Sequence, residues 1–456
     1  MIEPQAVPSG VISTDEPGTG SRPTALLSML QLLQISIFWF TTNAIWGGQD
    51  IFQQERSIQL LGKQAAPAAV GILDLLMAPI GMLLMPVMGS ISDYTQSRWG
   101  RRKPFIVTGA IAAGLALVGL ALAQTWVMVV VFFLLLSAAS NFSRGPFSGL
   151  VPDVVPEKQV GIASGLMGLM TVLGVSGGFL IIWTGYLLGA NFTVPLMVLA
   201  IVVVATGIGT FLWIPNGPPP KPREGRPWGV IALETFSPDI LKSRDYIFLL
   251  CSRFFVMMGG GFFMNLNVMF LAYAFGLTEK ERAPLMFVGL VVGAIGSTVA
   301  AIPAVRVADR IGRKPVIYAS TAIGATGIAV ISLAPVPEVA IAGVALLGVA
   351  FGAFLSVDWA LMTSIIPMAS AGRYMGFSNI VDALNGPIAS ALGMFTMAAV
   401  AGIAGDTIGG RTGMFLGVFV FGMGALLLRP VREPRPGGAG RDHGGTPAAV
   451  VPGPAA

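Results

Sequence analysis

Four ionisable residues stand inside otherwise apolar stretches of the sequence: Arg144, Arg253, Asp358 and Asp382. Each is eight or nine positions from a landmark at the end of its stretch. Arg144 precedes Pro152, Arg253 follows Asp245, Asp358 precedes Pro367 and Asp382 follows Arg373. At 1.5 Å of helical rise per residue, all four lie about 12–14 Å deep. A charge at the centre of a membrane helix costs on the order of 2.5–3.5 kcal/mol, so it marks function by default. Two cations and two anions at one depth can neutralise one another. The chemistry open to them is ion pairing and proton exchange, in which an acid that takes a proton releases its arginine. Asp358, beside Trp359, is the acid expected to titrate. A static reading competes, in which buried pairs hold helices together because breaking one is costly.

Amides and flat rings accompany these charges. The stretch "FWFTTNAIWGGQD" carries Trp39 and Asn43. Asn141 precedes Arg144 by three positions, and Asn265 follows the triple glycine Gly259, Gly260 and Gly261. Asn379 and Asn385 flank Asp382 at three-residue spacing, on one face of a helix. Amides suit the hydroxyl groups of a sugar and rings suit its C–H faces, so Trp39, Asn43, Asn141, Trp359, Asn265 and Asn379 are the candidate substrate-binding residues. Aromatics also serve as interfacial anchors, which is the competing explanation. The single cysteine, Cys251, excludes an internal disulfide, and the single histidine, His443, lies in a Pro/Gly-rich tail. No nucleophile–base pair or metal-ligand set is visible. Neither an enzyme, a cofactor nor a metal site is expected.

Such residues need helices to carry them. The chain has 456 residues, of which 54% are hydrophobic and only 11% charged, with a mean hydropathy of +0.78; soluble domains carry about 25% charge. Apolar runs long enough to cross about 30 Å of hydrocarbon recur throughout. They predict an all-α polytopic membrane protein with twelve spans, near 25–47, 66–91, 104–124, 126–151, 160–187, 193–214, 246–275, 284–308, 315–335, 338–366, 374–402 and 411–429. Placing both termini in the cytoplasm puts roughly 20 of the 27 Lys and Arg residues on cytoplasmic segments, as the positive-inside rule requires. Asp74, 19 positions before Asp93, falls about 28 Å from it along a helix and is expected at the outer interface. The expected domains are a disordered cytoplasmic tail (1–24), a six-helix bundle (25–214), a cytoplasmic loop (215–245), a second six-helix bundle (246–429) and a second disordered tail (430–456). Residues 1–24 show no cleavable signal pattern. A plasma or bacterial inner membrane location, membrane lipid as a partner and a monomeric state are expected. The cations lie in loops between spans, so the basic balance speaks of topology and not of nucleic acid.

The halves repeat. "DYTQSRWGRRKP" begins at Asp93 and "DRIGRKP" at Asp309, while Pro152 and Gly161 match Pro367 and Gly376 at an offset of 215 positions. Duplicated six-helix bundles related about an axis along the membrane normal are one transporter architecture. "GSISDYTQSRWGRRKP" resembles the loop signature of the major facilitator superfamily through Gly89, Asp93, Gly100, Arg101 and Arg102. Asp309, Arg310, Gly312, Arg313 and Lys314 fit the second copy. Physically, such a charge cluster could latch the two bundles together on the cytoplasmic side in one state and release them in another.

"SRWGRRKPFIVTGA" and "NFSRGPFSGLVPD" (141–153) are similar to runs in the sucrose transporters and other carriers of the glycoside–pentoside–hexuronide type. The resemblance implies a central cavity faced by spans 4, 7, 10 and 11, and cation-coupled uptake of a di- or monosaccharide. Where those relatives carry coupling acids, this chain has Ser137, Gly81 and Met85. A coupling proton would therefore fall to Asp358 or Asp382, against Arg144 and Arg253. A proton-coupled drug or metabolite efflux antiporter and an uncoupled facilitator are the alternatives. Gly165, Gly174, Gly177 and Gly178 partly match the antiporter signature, but its proline is missing.

Overall fold

A computed structural model describes residues 26–189, 191–215, 219, 222, 223, 225–234, 244–365 and 371–432. Every regular element among them is helical. The first half comprises α1 (Met29–Leu61), α2 (Ala66–Asp93), α3 (Lys103–Leu122), α4 (Trp126–Ser148), the short α5 (Leu150–Val154), α6 (Val160–Leu187) and α7 (Thr193–Trp213). A linker helix, α8 (Trp228–Glu234), precedes α9 (Arg244–Ala274), α10 (Glu279–Ile311), α11 (Arg313–Leu333), α12 (Pro337–Ile365), α13 (Ala371–Ala404) and α14 (Asp406–Leu428).

Local chemistry sets the helix ends. Ser28 and Gln31 form a capping box at α1, Thr278 and Glu281 form another at α10, and Thr125 caps α4. Gly312 separates α10 from α11 with φ 96° and ψ 162°, a backbone region open essentially to glycine alone. Gly100 in the first copy of the loop also has positive φ, 92°. The spacing of these motif glycines therefore reflects a turn that no side chain accepts easily.

Among the described residues, eleven helices are long and apolar enough to cross a membrane: α2, α3, α4, α6, α7 and α9–α14. The remaining long helix, α1, runs 33 residues but is interrupted by Gln31, Gln34, Asn43, Asp50, Gln53, Gln54 and Glu55. It also continues well beyond the expected end at residue 47. Its added turns bury Gln53, Gln54, Glu55 and Ser57 inside the protein, each with at least one hydrogen-bond partner, while the Gln53 Oε1 has none among the described residues. The α8 helix was not anticipated, and most of the terminal segments lie outside the described residues.

Packing repeats between the halves. In the first, α1 packs on α6 and α7, α2 on α4, and α3 on α4 and α7. In the second, α9 packs on α13 and α14, α10 on α12, and α11 on α12 and α14. Each set surrounds its own apolar core, one including Phe38, Phe133 and Phe147 and the other Phe262, Phe270 and Phe421. Between halves, α2 meets α13, α1 meets α9 and α6 meets α10. The motif residue Gly89 sits where α2 crosses α4. A Cβ on its partner Gly145 would lie 2.9 Å from the Gly89 nitrogen, so the crossing requires small residues.

Candidate functional site

Three of the four deep charges meet. Arg253 on α9 donates from Nε to Asp382 Oδ1 at 3.0 Å and from Nη2 to Asp382 Oδ2 at 2.9 Å. Its Nη1 pairs with Asp358 on α12. The Arg253 and Asp358 side chains are 3% and 1% exposed, but Asp382 is 25% exposed. Trp359 lies under the guanidinium, its ring centroid 5.3 Å from the Arg253 Cζ. Asn385, one turn along α13, donates to the Asp382 backbone oxygen at 2.8 Å. The cluster holds two carboxylates against one guanidinium. Asp358 is enclosed, and Asp382 is the more exposed of the two acids.

Arg144 does not join this cluster, which corrects the expectation of a four-charge group. It belongs to α4 in the first half. Its guanidinium lies over two rings of α1, 4.9 Å from the centroid of Trp39 and 5.5 Å from that of Trp46. Trp39 is held from behind by stacking on Phe147 at 5.9 Å and by donation from Nε1 to Thr171 Oγ1 at 2.8 Å. Equal depth did not bring equal position, because depth along a helix says nothing about which way a residue faces.

The amides share one habit. Asn43, Asn141 and Asn265 each donate to the carbonyl four residues earlier on their own helix, at 2.7, 2.8 and 2.7 Å. This pins the side chain while the amide oxygen makes no hydrogen bond among the described residues. Asn43 stands between Trp39 and Trp46 on α1, and Asn141 lies against Gly81 of α2. Asn265 approaches Gly386 of α13. The side chain of Asn379 lies outside the described residues.

The loop motif builds a second charged site, and it differs from the expected latch between bundles. Asp153, just after α4, receives Arg101 Nε at 3.0 Å, Arg101 Nη2 at 2.6 Å and Arg102 Nε at 2.6 Å. Arg102 also pairs with Asp93 at 2.8 Å. These ion pairs lie wholly within the first half, tying α2, α3 and the end of α4 together. In the second copy, Arg313 donates to the Ala360 carbonyl at 2.8 Å and Lys314 to that of Val431 at 2.6 Å. Asp309 and Arg310 are exposed. The position 215 residues beyond Asp153 holds Met368, so the second half has no matching acid there.

Polar bridges between the halves gather at the opposite end of the bundle. Glu55 on α1 accepts from Arg282 of α10 at 3.0, 2.8 and 2.6 Å, and from Tyr186 of α6 at 2.6 Å. Asp74 on α2 accepts from Gln53 at 2.7 Å and from Ser390 of α13. Lys63 pairs with Asp406 at 2.7 Å, and Trp183 Nε1 donates to the Ala283 carbonyl at 2.9 Å. Asp74 is therefore buried between helices and not at an interface with water, a second correction. Sequence reading missed Glu55 because it stopped α1 too early. The continuing apolar positions Ile51, Phe52, Ile58 and Leu61 were the available signal.

The sequence and the fold are similar to those of known proteins. The family model described as Major Facilitator Superfamily matches residues 24–390. A membrane-associated transporter protein of Mus musculus is 31% identical over 170 residues, covering 31% of this chain and 32% of that protein. A sucrose transport protein of Oryza sativa subsp. japonica is 31% identical over 124 residues, 22% of this chain and 23% of its own length. The chain thus matches about a third or less of each of these two curated relatives. Among solved structures, the nucleoside transporter NupG superposes with a TM-score of 0.63 at 16% identity, covering 88% of this chain and 100% of that one. That likeness concerns the fold.

Proposed function

The chain belongs to the Major Facilitator Superfamily, and from that premise we propose that it is a proton-coupled symporter that moves a sugar across the membrane by alternating access. Two six-helix bundles (25–214 and 246–429) joined by the 215–245 segment, with both ends of the chain in the cytoplasm, are its moving parts. On this reading α1 is the twelfth span. Its amides and acids face the interior and the other half, where Arg282 and Tyr186 of neighbouring helices donate to Glu55 and Gln53 donates to Asp74.

The observation that carries the proposal is the grip of Arg253 on two acids of unequal exposure. An acid that takes a proton gives up its ion pair, so proton uptake at one of these carboxylates loosens its hold on the guanidinium. Asp382 is the exchanging group, because it is the more exposed of the two acids. Asp358 keeps Arg253 compensated while Asp382 is neutral. Protonation removes the bidentate contact between α9 and α13, freeing two helices of the second half to shift. The amides Asn43, Asn141, Asn265 and Asn379 and the rings of Trp39 and Trp359 bind the sugar. Support for that substrate comes from this lining and from the name of the rice relative, a sucrose transport protein.

The cluster of Glu55, Arg282, Tyr186, Asp74 and Ser390 seals the outer end, and the Asp93–Arg102–Asp153–Arg101 cluster makes the cytoplasmic end of the first half one rigid unit. Counterflow in proteoliposomes with a panel of neutral mono- and disaccharides tests the substrate class. Exchange of at least one sugar above protein-free vesicles is expected. Exchange of none, with transport of apolar drugs, would replace this reading by an efflux antiporter.

A further inference from the structure

The two halves treat their buried guanidinium groups differently. Arg253 has two carboxylate partners. Arg144 has none among the described residues, and its buried Nε makes no hydrogen bond. Trp39 and Trp46 lie at cation–π distance from it. Rings stabilise a cation through its face but accept none of its five N–H donors, which lie along the edge of the guanidinium plane. A buried donor left without an acceptor is costly, and a guanidinium edge matches a carboxylate in geometry as well as charge.

We infer that Arg144, held by Trp39 and Trp46, is the subsite for a carboxylate carried by the substrate, so that the transported sugar is an acidic one, a uronide type, in preference to a neutral glycoside. The inference rests on the sugar reading given above and sharpens it. Asn141, one turn before Arg144, and Asn43, between the two tryptophans, stand ready for hydroxyl groups beside the carboxylate. Charge supports the same assignment. The Arg253 cluster has one negative charge in excess, so the second half repels an anion and the first half attracts it. The substrate is thereby oriented, with its acid end toward α4. Trp46 is 40% exposed.

The test is binding to the purified full chain in nanodiscs, by calorimetry, with methyl glucuronide, methyl glucoside and benzoate as probes. The glucuronide should bind at least about 10-fold tighter than the glucoside, a difference of about 1.4 kcal/mol. Arg144→Gln should bring that ratio toward one, and Arg144→Lys, which keeps the charge but not the fork, should fall between. Equal affinity of the wild type for the two glycosides would overturn the carboxylate subsite and leave the sugar reading standing; the wild-type ratio needs no variant to fold. Equal weakening of both by Arg144→Gln would also overturn it. Binding of benzoate alone, lost in Arg144→Gln, would support the anion subsite and remove the sugar reading. Binding of no probe would overturn both.

Discussion

Arg144 and Trp359 occupy the same place in the two halves, 215 positions apart, and are opposite members of the same kind of contact. In the first half the arginine comes from the fourth span and the ring, Trp39, from the first. In the second half the ring comes from the equivalent of the fourth span, α12, and the arginine, Arg253, from α9. Both halves have the cation–ring contact, with the helices that supply the cation and the ring exchanged. Among the described residues only the second half surrounds its cation with acids, which makes the two walls chemically unequal.

The acids of that second wall should separate in their effects. Asp358→Asn leaves a fully enclosed arginine with a single carboxylate, and breaking a buried pair typically costs about 3–5 kcal/mol. Lower thermal stability of the purified protein is the expected outcome. A melting temperature equal to that of the wild type would show that Asp358 contributes no net pairing energy.

The opposite end of the bundle offers a stability test of its own. Glu55→Gln removes the charge that holds Arg282 and Tyr186, three helices at once. Because α10 belongs to the other half, the outer seal should loosen. Faster labelling of a cysteine introduced at Ser390, in a Cys251→Ser background, would report it. Labelling at the wild-type rate would place the seal elsewhere.

At the cytoplasmic end, Asp153→Asn should release Arg101 and Arg102 together. The expected result is slower turnover in reconstituted vesicles with substrate affinity changed by no more than about twofold, since a factor of two is well under 1 kcal/mol. Turnover equal to the wild type would argue that the arginines act only in orienting the chain.

Much of this is legible in the sequence. Apolar runs located eleven of the twelve expected spans to within about five residues at either end, because the hydrocarbon demands continuous apolar length. Counting from Pro152, Asp245, Pro367 and Arg373 gave the depth of the buried charges, and three of those charges do meet. What counting could not give was azimuth: Arg144 shares their depth but faces Trp39 and Trp46. The last turns of α1 were also hidden. Their polar residues read as a loop, yet Gln53 and Glu55 are buried against Asp74 and Arg282 on other helices. Periodicity within one segment does not show a partner 227 positions away. Asp153 was visible in the sequence, but its role as the shared acceptor of two arginines appears only when α5 turns it back toward the α2–α3 loop.

The substrate wall should respond in binding and not in stability. Asn43→Ala and Asn141→Ala each remove one amide from the sugar site, so weakening by about 1–2 kcal/mol is expected, the scale of a hydrogen bond lost. Calorimetric affinities unchanged in both variants would mean that the sugar lies against other helices.

Proton-driven accumulation tests the central claim most directly. Wild-type protein and Asp382→Asn are reconstituted into liposomes, and uptake of radiolabelled substrate is followed with and without an imposed inward proton gradient. Exchange of internal for external substrate is measured in parallel. The wild type should concentrate substrate only with the gradient, whereas Asp382→Asn should retain exchange and lose accumulation. Accumulation by Asp382→Asn at the wild-type level, or wild-type uptake indifferent to the gradient, would contradict the role given to the Arg253–Asp382 pair.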